Sequence, residues 1–192
     1  MNPARRAAAI LFDPPAEWAR IEQDSGDPAY LLSRYVAVLA LVPAVFGFVG
    51  ACVIGVIASG AGPVRTPLID GLFGAVFAYV AAFATVLVLG FLINLLAPLF
   101  GGRMNFESAF KLAVYSYTPA WLAGIFLLLP GLRFLTLTGL YGAYLLLLGL
   151  PQLMKSPAPK SPVFAALIVI IACALAYFTA IAQRVLFSTP GL

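Results

Sequence analysis

The chain has 192 residues, of which 63% are hydrophobic and 9% are charged, with a formal net charge of +4. Soluble domains carry roughly 25% charged residues, so this composition excludes an ordinary soluble fold, whose surface it would not cover. The absence of histidine excludes histidine-based catalysis and zinc–histidine sites, and the dispersed lysines and arginines exclude a basic face for nucleic acid.

Residues 1–28 are predicted to form a cytoplasmic amphipathic leader that precedes a membrane domain of residues 29–192. Pro14, Trp18 and Ile21 share one helical face, and a tryptophan ring suits the head-group boundary. We therefore expect an N-terminal interfacial helix that contacts anionic lipid head groups. The alternative is a helix packed against the protein's own loops. The expected membrane-surface contacts are Arg5, Arg6, Trp18 and Arg20.

Five long apolar stretches follow the leader, and a helix of roughly 20 residues crosses a hydrocarbon core about 30 Å thick. The predicted fold is therefore an all-α polytopic transmembrane bundle of five helices. The fourth stretch is the shortest, and a re-entrant segment that returns the C-terminus to the cytoplasm is its alternative. The predicted spans are residues 33–59, 68–96, 108–129, 134–150 and 163–187.

The distribution of lysine and arginine predicts the orientation, because these residues are enriched in cytoplasmic loops. With a cytoplasmic N-terminus and a periplasmic C-terminus, the outer side holds only Arg65, Arg133 and Arg184. The alanine, leucine and arginine usage is typical of a GC-rich bacterium, so the expected location is the bacterial inner membrane. The inner side then holds Arg5, Arg6, Arg20, Arg34, Arg103, Lys111, Lys155 and Lys160.

Small residues recur every fourth position in three of the spans, which permits close helix contact in lipid. We expect these faces to meet inside one bundle, with a homodimer seam as the alternative. They comprise Gly47, Ala51, Gly55 and Ser59 in the first span, Gly74, Ala78 and Ala82 in the second, and Ala172, Ala176 and Ala180 in the fifth.

Charged residues, which mark many membrane transport sites, are not expected at mid-membrane depth here, because Lys111, Arg133 and Arg184 fall near the ends of their spans. Ser108 and Lys111 stand three apart, but one such spacing is expected by chance, so they do not indicate a serine–lysine catalytic pair. No enzyme activity, cofactor or metal is therefore predicted.

Tyrosines and a proline cluster in the third and fourth spans. Pro119 removes one helical hydrogen bond, and nearby hydroxyls can satisfy the freed carbonyl group. One interpretation is interfacial tyrosine with a helix kink. The other is a polar groove between the third and fourth helices that binds a lipid head group or a partner's helix. Its candidate residues are Tyr115, Thr118, Pro119, Tyr141 and Tyr144.

The chain resembles the Yip family of Ypt/Rab-interacting membrane proteins, especially its short bacterial members. The matching segments run over residues 12–21, 115–119, 140–145 and 149–155. The resemblance implies five transmembrane helices, a cytosolic N-terminus and a lumenal or periplasmic C-terminus. Because the chain lacks the long N-terminal region and the Asp-Leu-Tyr-Gly-Pro motif of the eukaryotic relatives, GTPase binding is not carried over.

Two functions are compatible with this sequence. The first is a non-enzymatic integral membrane protein that organises lipid or membrane partner proteins, alone or as a homo-oligomer. The second is a small transporter or lipid-handling channel that uses the groove between the third and fourth helices.

Overall fold

The computed structural model describes residues 2–24, 27–57 and 63–187, and most of these residues are helical. Two short helices form the leader, α1 (Pro3–Phe12) and α2 (Pro14–Gln23). The side chain of Asn2 caps α1 by accepting a hydrogen bond from the Ala4 backbone N–H at 3.0 Å. Pro14 begins α2, where the N–H that proline lacks would have had no helical partner.

The first long helix is α3 (Pro28–Ile54), which includes two π-helical stretches, Leu31–Val36 and Val49–Ile54. It begins at residue 28, whereas the sequence predicted residue 33. It ends at Gly55, whose φ of +86° is unfavourable for a residue with a side chain. The predicted end at residue 59 lies outside the described residues.

A small antiparallel ribbon follows α3. It consists of β1 (Val56–Ile57) and β2 (Pro63–Val64), in which Val56 pairs with Val64. The all-α prediction did not include it, because strands of two residues show no recognisable sequence period.

The next two helices are α4 and α5. Helix α4 (Leu68–Leu96) has the predicted bounds and continues as a 3₁₀ turn, Ala97–Phe100. Helix α5 (Phe106–Ala123) is followed by a 3₁₀ segment, Gly124–Leu128, so the predicted third span over residues 108–129 is only partly α-helical.

The fourth long helix, α6, has two parts, a 3₁₀ segment (Pro130–Leu140) and an α-helical segment (Tyr141–Leu153). A 3₁₀ helix rises about 2.0 Å per residue and an α-helix about 1.5 Å, so the two parts together reach roughly 40 Å. Helix α6 is therefore longer than the predicted 134–150 span. The last helix, α7, is Ser161–Phe187.

Among the residues that the structure describes, four helices are long and apolar enough to cross a membrane: α3, α4 with its 3₁₀ turn, residues 131–153 of α6, and α7. Between 17% and 33% of the residues in their most apolar stretches are buried in the protein. In α5, by contrast, twelve of 18 residues are buried. Helix α5 is thus the central helix, and its neighbours cover its serine, threonine and tyrosine side chains.

Close contacts define the directions of the helices around α5. Pro43 of α3 lies beside Gly124, and Gly50 lies beside Leu127, so α3 and α5 with its extension run in the same direction. In α6, Gly139 lies beside Ala120 and Gly149 lies beside Leu112, so α5 and α6 run in opposite directions.

The outer surface of the bundle is apolar. In α4, Leu68 is 64% exposed, Phe73 58% and Val80 59%. Phe178 of α7 is 75% exposed. A contiguous apolar exterior of this kind matches lipid rather than water as the surrounding medium.

The predicted small-residue faces of the first two spans meet inside the bundle. Gly47 and Ala51 of α3 line a cavity of about 110 Å³ together with Gly74 and Ala78 of α4. The Gln183 side-chain amide of α7 donates a hydrogen bond to the Gly74 carbonyl oxygen at 3.1 Å. These contacts favour the intramolecular interpretation for the α3 and α4 faces.

We predict that Gly142→Ala destabilises the bundle, because a Cβ at Gly142 would lie 2.3 Å from the Ser116 carbonyl oxygen. Separating the two backbones by overpacking costs about 1–3 kcal/mol. Gly131→Ala is the matched control, since nothing lies within 4 Å of a Cβ at that position. Thermal unfolding in nanodiscs measures both, and equal melting temperatures would contradict the close α5–α6 contact.

Candidate functional site

Buried ion pairs join the two leader helices to each other. The Arg6 guanidinium donates hydrogen bonds to the Glu17 and Asp24 carboxylates. Arg6 is 8% exposed and Glu17 is 3% exposed, although charged residues are rarely buried unless they are paired. Arg20 adds a second partner for Glu17, at 3.2 Å. This network joins α1 to α2 and to the residue that caps the C-terminus of α2.

The environment of Arg6 favours its charged form. Burial by itself lowers the pKa of the guanidinium, but the Glu17 hydrogen bond and the charges of Glu17 and Asp24 raise that pKa above its ordinary value. The guanidinium also lies over the ring of Tyr115 in α5, 5.8 Å from the ring centroid, in a cation–π contact. Arg6 is thereby held against α5 as a charged group.

Lys111 joins the same network from α5. It is 4% exposed, and its ammonium donates to the Asp24 backbone carbonyl oxygen and lies 2.7 Å from a Glu107 carboxylate oxygen. Lys111 lies near the beginning of α5, as predicted from its place near a span end, but its side chain is buried in the protein. The cause is the leader, which covers this part of α5 and offers the ammonium a carbonyl oxygen.

Trp18 is the apolar anchor of the leader. Its side chain is completely buried and meets Tyr115 edge-on, with 6.3 Å between the ring centroids. A Cβ at Gly149 of α6 would lie 2.9 Å from the Trp18 ring and 2.5 Å from a Leu112 methyl group. Gly149 therefore leaves the space in which the indole sits between α5 and α6.

Polar contacts also connect the leader to α6. Glu22 accepts hydrogen bonds from Lys155 and, at 3.4 Å, from Gln152. The Tyr141 hydroxyl donates to the Leu11 carbonyl oxygen at 3.1 Å. The leader is thus held by α5 and α6 together.

Two of the four expected membrane-surface residues, Arg6 and Trp18, are buried inside the protein. Both are buried among protein atoms, because α5 and α6 offer an aromatic face and a glycine gap that lipid does not. Pro14 and Ile21, which share a face with Trp18, are buried as well. Arg5 and Arg20 are exposed, and their contact with head groups stays a prediction.

The structure does not bring the candidate groove residues Tyr115, Thr118, Tyr141 and Tyr144 together between the third and fourth helices. Thr118 pairs with the Tyr35 hydroxyl of α3 at 2.9 Å, and the Tyr115 ring packs on Tyr35 with the centroids 5.0 Å apart. Tyr115 and Thr118 do share a side, but that side faces α3. Tyr141 contacts the leader, and Tyr144 is 46% exposed. Pro119 is buried within α5, which continues to Ala123.

A cavity does lie between these helices, with a different lining. It measures about 220 Å³ and is formed by residues of α4, α5, α6 and α7. Three of its 18 lining residues carry a hydroxyl, namely Ser116, Tyr117 and Thr136, and none carries a charge. The Thr136 hydroxyl already donates to the Arg133 carbonyl oxygen at 2.7 Å. Leu137 and Leu140, which are 65% and 54% exposed, connect the lining to the apolar exterior.

An empty cavity of this size is costly. Atoms that line an unfilled space have no van der Waals partners on that side. Water would need two to four polar partners to fill it, and the lining is mostly apolar. The cavity is therefore suited to an apolar group.

The sequence did not reveal Glu17, Lys111, Tyr35 or Gly149 as site residues. Lys111 gave the clearest available signal, because a lysine five residues into an apolar helix needs a polar partner. That the partner is Asp24, which is 87 positions earlier in the chain, is a property of the folded structure.

We predict that Glu17→Gln destabilises the docked leader by about 3 kcal/mol, because it removes one partner of a buried ion pair. Glu22→Gln is the matched control in the same helix. Glu22 and Lys155 are partly exposed, and such pairs contribute no more than about 1 kcal/mol. Thermal unfolding in nanodiscs compares the two variants, and a Glu17→Gln protein as stable as Glu22→Gln would contradict the buried pair.

The contact between Glu22 and Lys155 predicts a weak pH dependence of the protein's thermal stability. The hydrogen bond from Lys155 lowers the pKa of Glu22 below its ordinary value. A lowered carboxyl pKa gives a stabilisation that is complete above the unfolded pKa, near 4.3, and is lost as the pH falls through the folded pKa. Melting temperatures measured below about pH 5 should therefore fall more in the wild type than in Lys155→Met. Parallel curves would show that the contact does not contribute.

The chain matches a known protein family. The Yip1 domain family matches residues 8–181, which include most of the leader and of the five helices that follow. No curated protein and no solved structure matches the chain. Because the match covers most of the chain, this membrane protein belongs to the Yip family.

Proposed function

We propose that this chain is a non-enzymatic, five-span protein of a bacterial inner membrane that gathers anionic lipids around the leader end of the bundle and organises membrane partner proteins there. The observation that carries the proposal is a set of exposed cations at that end. These are Arg5, Arg20, Arg34, Arg103, Lys155 and Lys160. Each basic residue near an anionic surface is worth about 1 kcal/mol.

Several contacts support a common location for these cations. Lys155 contacts Glu22 of the leader, and the Arg103 backbone N–H donates to the Met154 carbonyl oxygen at 2.8 Å. Lys160 lies beside Gly101. The ends of α4 and α6 and the beginnings of α5 and α7 therefore belong to the leader end.

Five crossings are supported by the length of α5. With its 3₁₀ extension it follows α3 from the Tyr35–Thr118 contact to the Gly50–Leu127 contact. Helix α6 then returns along it to the leader end. Since α3 and α6 are long enough to cross, a helix that runs beside both crosses as well, although its own composition is more polar.

The surface of the leader also suits lipid. Phe12, at the end of α1, is 87% exposed, and Arg5 is exposed about two turns earlier in the same helix. An exposed aromatic residue and a nearby arginine form the usual pair of contacts at a lipid interface. The leader would thus contact head groups through its outer surface while Trp18 holds its inner surface to the bundle.

We expect Arg5→Gln with Lys160→Gln to reduce the enrichment of phosphatidylglycerol around the protein, by up to about 1 kcal/mol per residue. Energy transfer from labelled protein to labelled phosphatidylglycerol in vesicles with phosphatidylethanolamine measures this. The matched control is Arg65→Gln with Arg184→Gln, which removes two exposed cations from the other end. Equal losses in both double variants would contradict the proposal.

The orientation is a separate prediction. The bias of lysine and arginine toward the leader end favours a cytoplasmic N-terminus and, with five crossings, a periplasmic C-terminus. A periplasm-active reporter fused after Leu192 should be active and a cytoplasm-active one silent. The reverse result would exclude this topology.

A second candidate function, a small transporter or lipid-handling channel, is favoured by the cavity of about 220 Å³ between α4, α5, α6 and α7. Proteoliposomes test it through the exchange of labelled lipid between leaflets and the flux of ions and small solutes. Exchange faster than in protein-free vesicles would favour this function over the first.

A further inference from the structure

We infer that the cavity between α4, α5, α6 and α7 holds one acyl chain of a phospholipid from the leaflet opposite the leader. This inference deepens the second candidate function, because it names the molecule that the cavity takes. It does not require transport, since a bound chain also serves a protein that moves no lipid.

The chemistry of the lining selects a hydrocarbon. Its 18 residues include no charged side chain, so a charged ligand would lose its hydration without gaining a partner. Of the three hydroxyls, that of Thr136 is already bonded to the protein's own backbone. Cavities of about 150 Å³ with apolar linings stay dry and take up apolar molecules, and this cavity, at about 220 Å³, is larger.

The position of the cavity selects a lipid chain over a free ligand. Leu137 and Leu140 are lining residues and are also exposed on the apolar exterior. Ala176 of α7 lines the same space and is exposed as well. The cavity is thus continuous with a surface whose surrounding medium is acyl chains. A chain enters it from the side, without leaving the bilayer.

The depth of the lining residues selects the leaflet. Thr136 and Leu137 belong to the first half of α6, which begins at the end away from the leader, and Ala176 lies in the second half of α7, which ends there. Ile93 and Leu146 line the inner part of the cavity, nearer the leader end. A chain from the opposite leaflet therefore enters past Leu137 with its terminal methyl group toward Ile93.

The test uses the full-length protein in nanodiscs that contain phosphatidylethanolamine with a photoreactive diazirine near the end of one acyl chain. After irradiation, mass spectrometry locates the adducts. We expect adducts on the cavity-lining parts of α5, α6 and α7 to exceed those on the exposed face of α4, around Val80, at least fivefold. A phosphatidylglycerol probe with the same chain should label the same residues equally, because the cavity contacts the chain and not the head group.

Variants decide whether the cavity is the cause of the labelling. Ala176→Phe should fill the mouth and reduce cavity adducts at least fivefold. Ala174→Phe is the matched control, an exposed alanine on the same helix that does not line the cavity, and should leave the adducts unchanged. Ala172→Leu, a smaller change within the lining, serves if Ala176→Phe does not fold, as judged by its melting temperature.

Adducts spread evenly over the lipid-exposed faces, or cavity adducts that persist in a folded Ala176→Phe or Ala172→Leu protein, would overturn the inference. Failure of the proposed anionic-lipid function has a different signature. The anionic-lipid function is contradicted if substituting Arg5 and Lys160 leaves the phosphatidylglycerol enrichment unchanged. The acyl-chain site is contradicted if substituting Ala172 or Ala176 leaves the cavity adducts unchanged.

Discussion

The structure depends on one constraint, which is that α5 is too polar to face lipid. Its Thr118 hydroxyl and its Lys111 ammonium require partners that hydrocarbon does not provide. Helices α3, α4 and α6 and the leader surround it, and each offers such a partner or a close backbone contact. Tyr35 supplies a hydroxyl for Thr118, and the Asp24 carbonyl oxygen receives Lys111. The neighbours can then present almost wholly apolar outer faces to the bilayer.

The leader belongs to this arrangement. Burying Arg6 or Glu17 alone would be strongly unfavourable, but burying both with Asp24 and the Tyr115 ring satisfies most of their polar groups. The ion pairs determine how α1 and α2 meet, and Trp18 determines where they bind the bundle. The result is a cap with a fixed orientation, whose outer surface carries Phe12 and the exposed arginines Arg5 and Arg20.

The cavity follows from the same packing. Glycines at positions 139, 142 and 149 bring α6 close to α5 along one side. On the other side, α7 meets these helices through alanines at positions 172 and 176, which are too small to fill the space between them. A bundle in a bilayer tolerates such a space because the acyl chains of the surrounding lipids are able to fill it.

The sequence by itself determined the helical membrane class, the bounds of α4 and the family resemblance, because hydropathy, proline and glycine act over a few neighbouring residues. It also identified Pro14, Trp18 and Ile21 as one face. Tertiary structure decided what that face contacts, since lipid and the α5–α6 surface are both apolar and only the gap at Gly149 distinguishes them. It likewise decided the partners of Arg6, Lys111, Tyr115 and Tyr141, because those contacts join residues that are up to 130 positions apart. Local patterns carry no information about pairing over such separations.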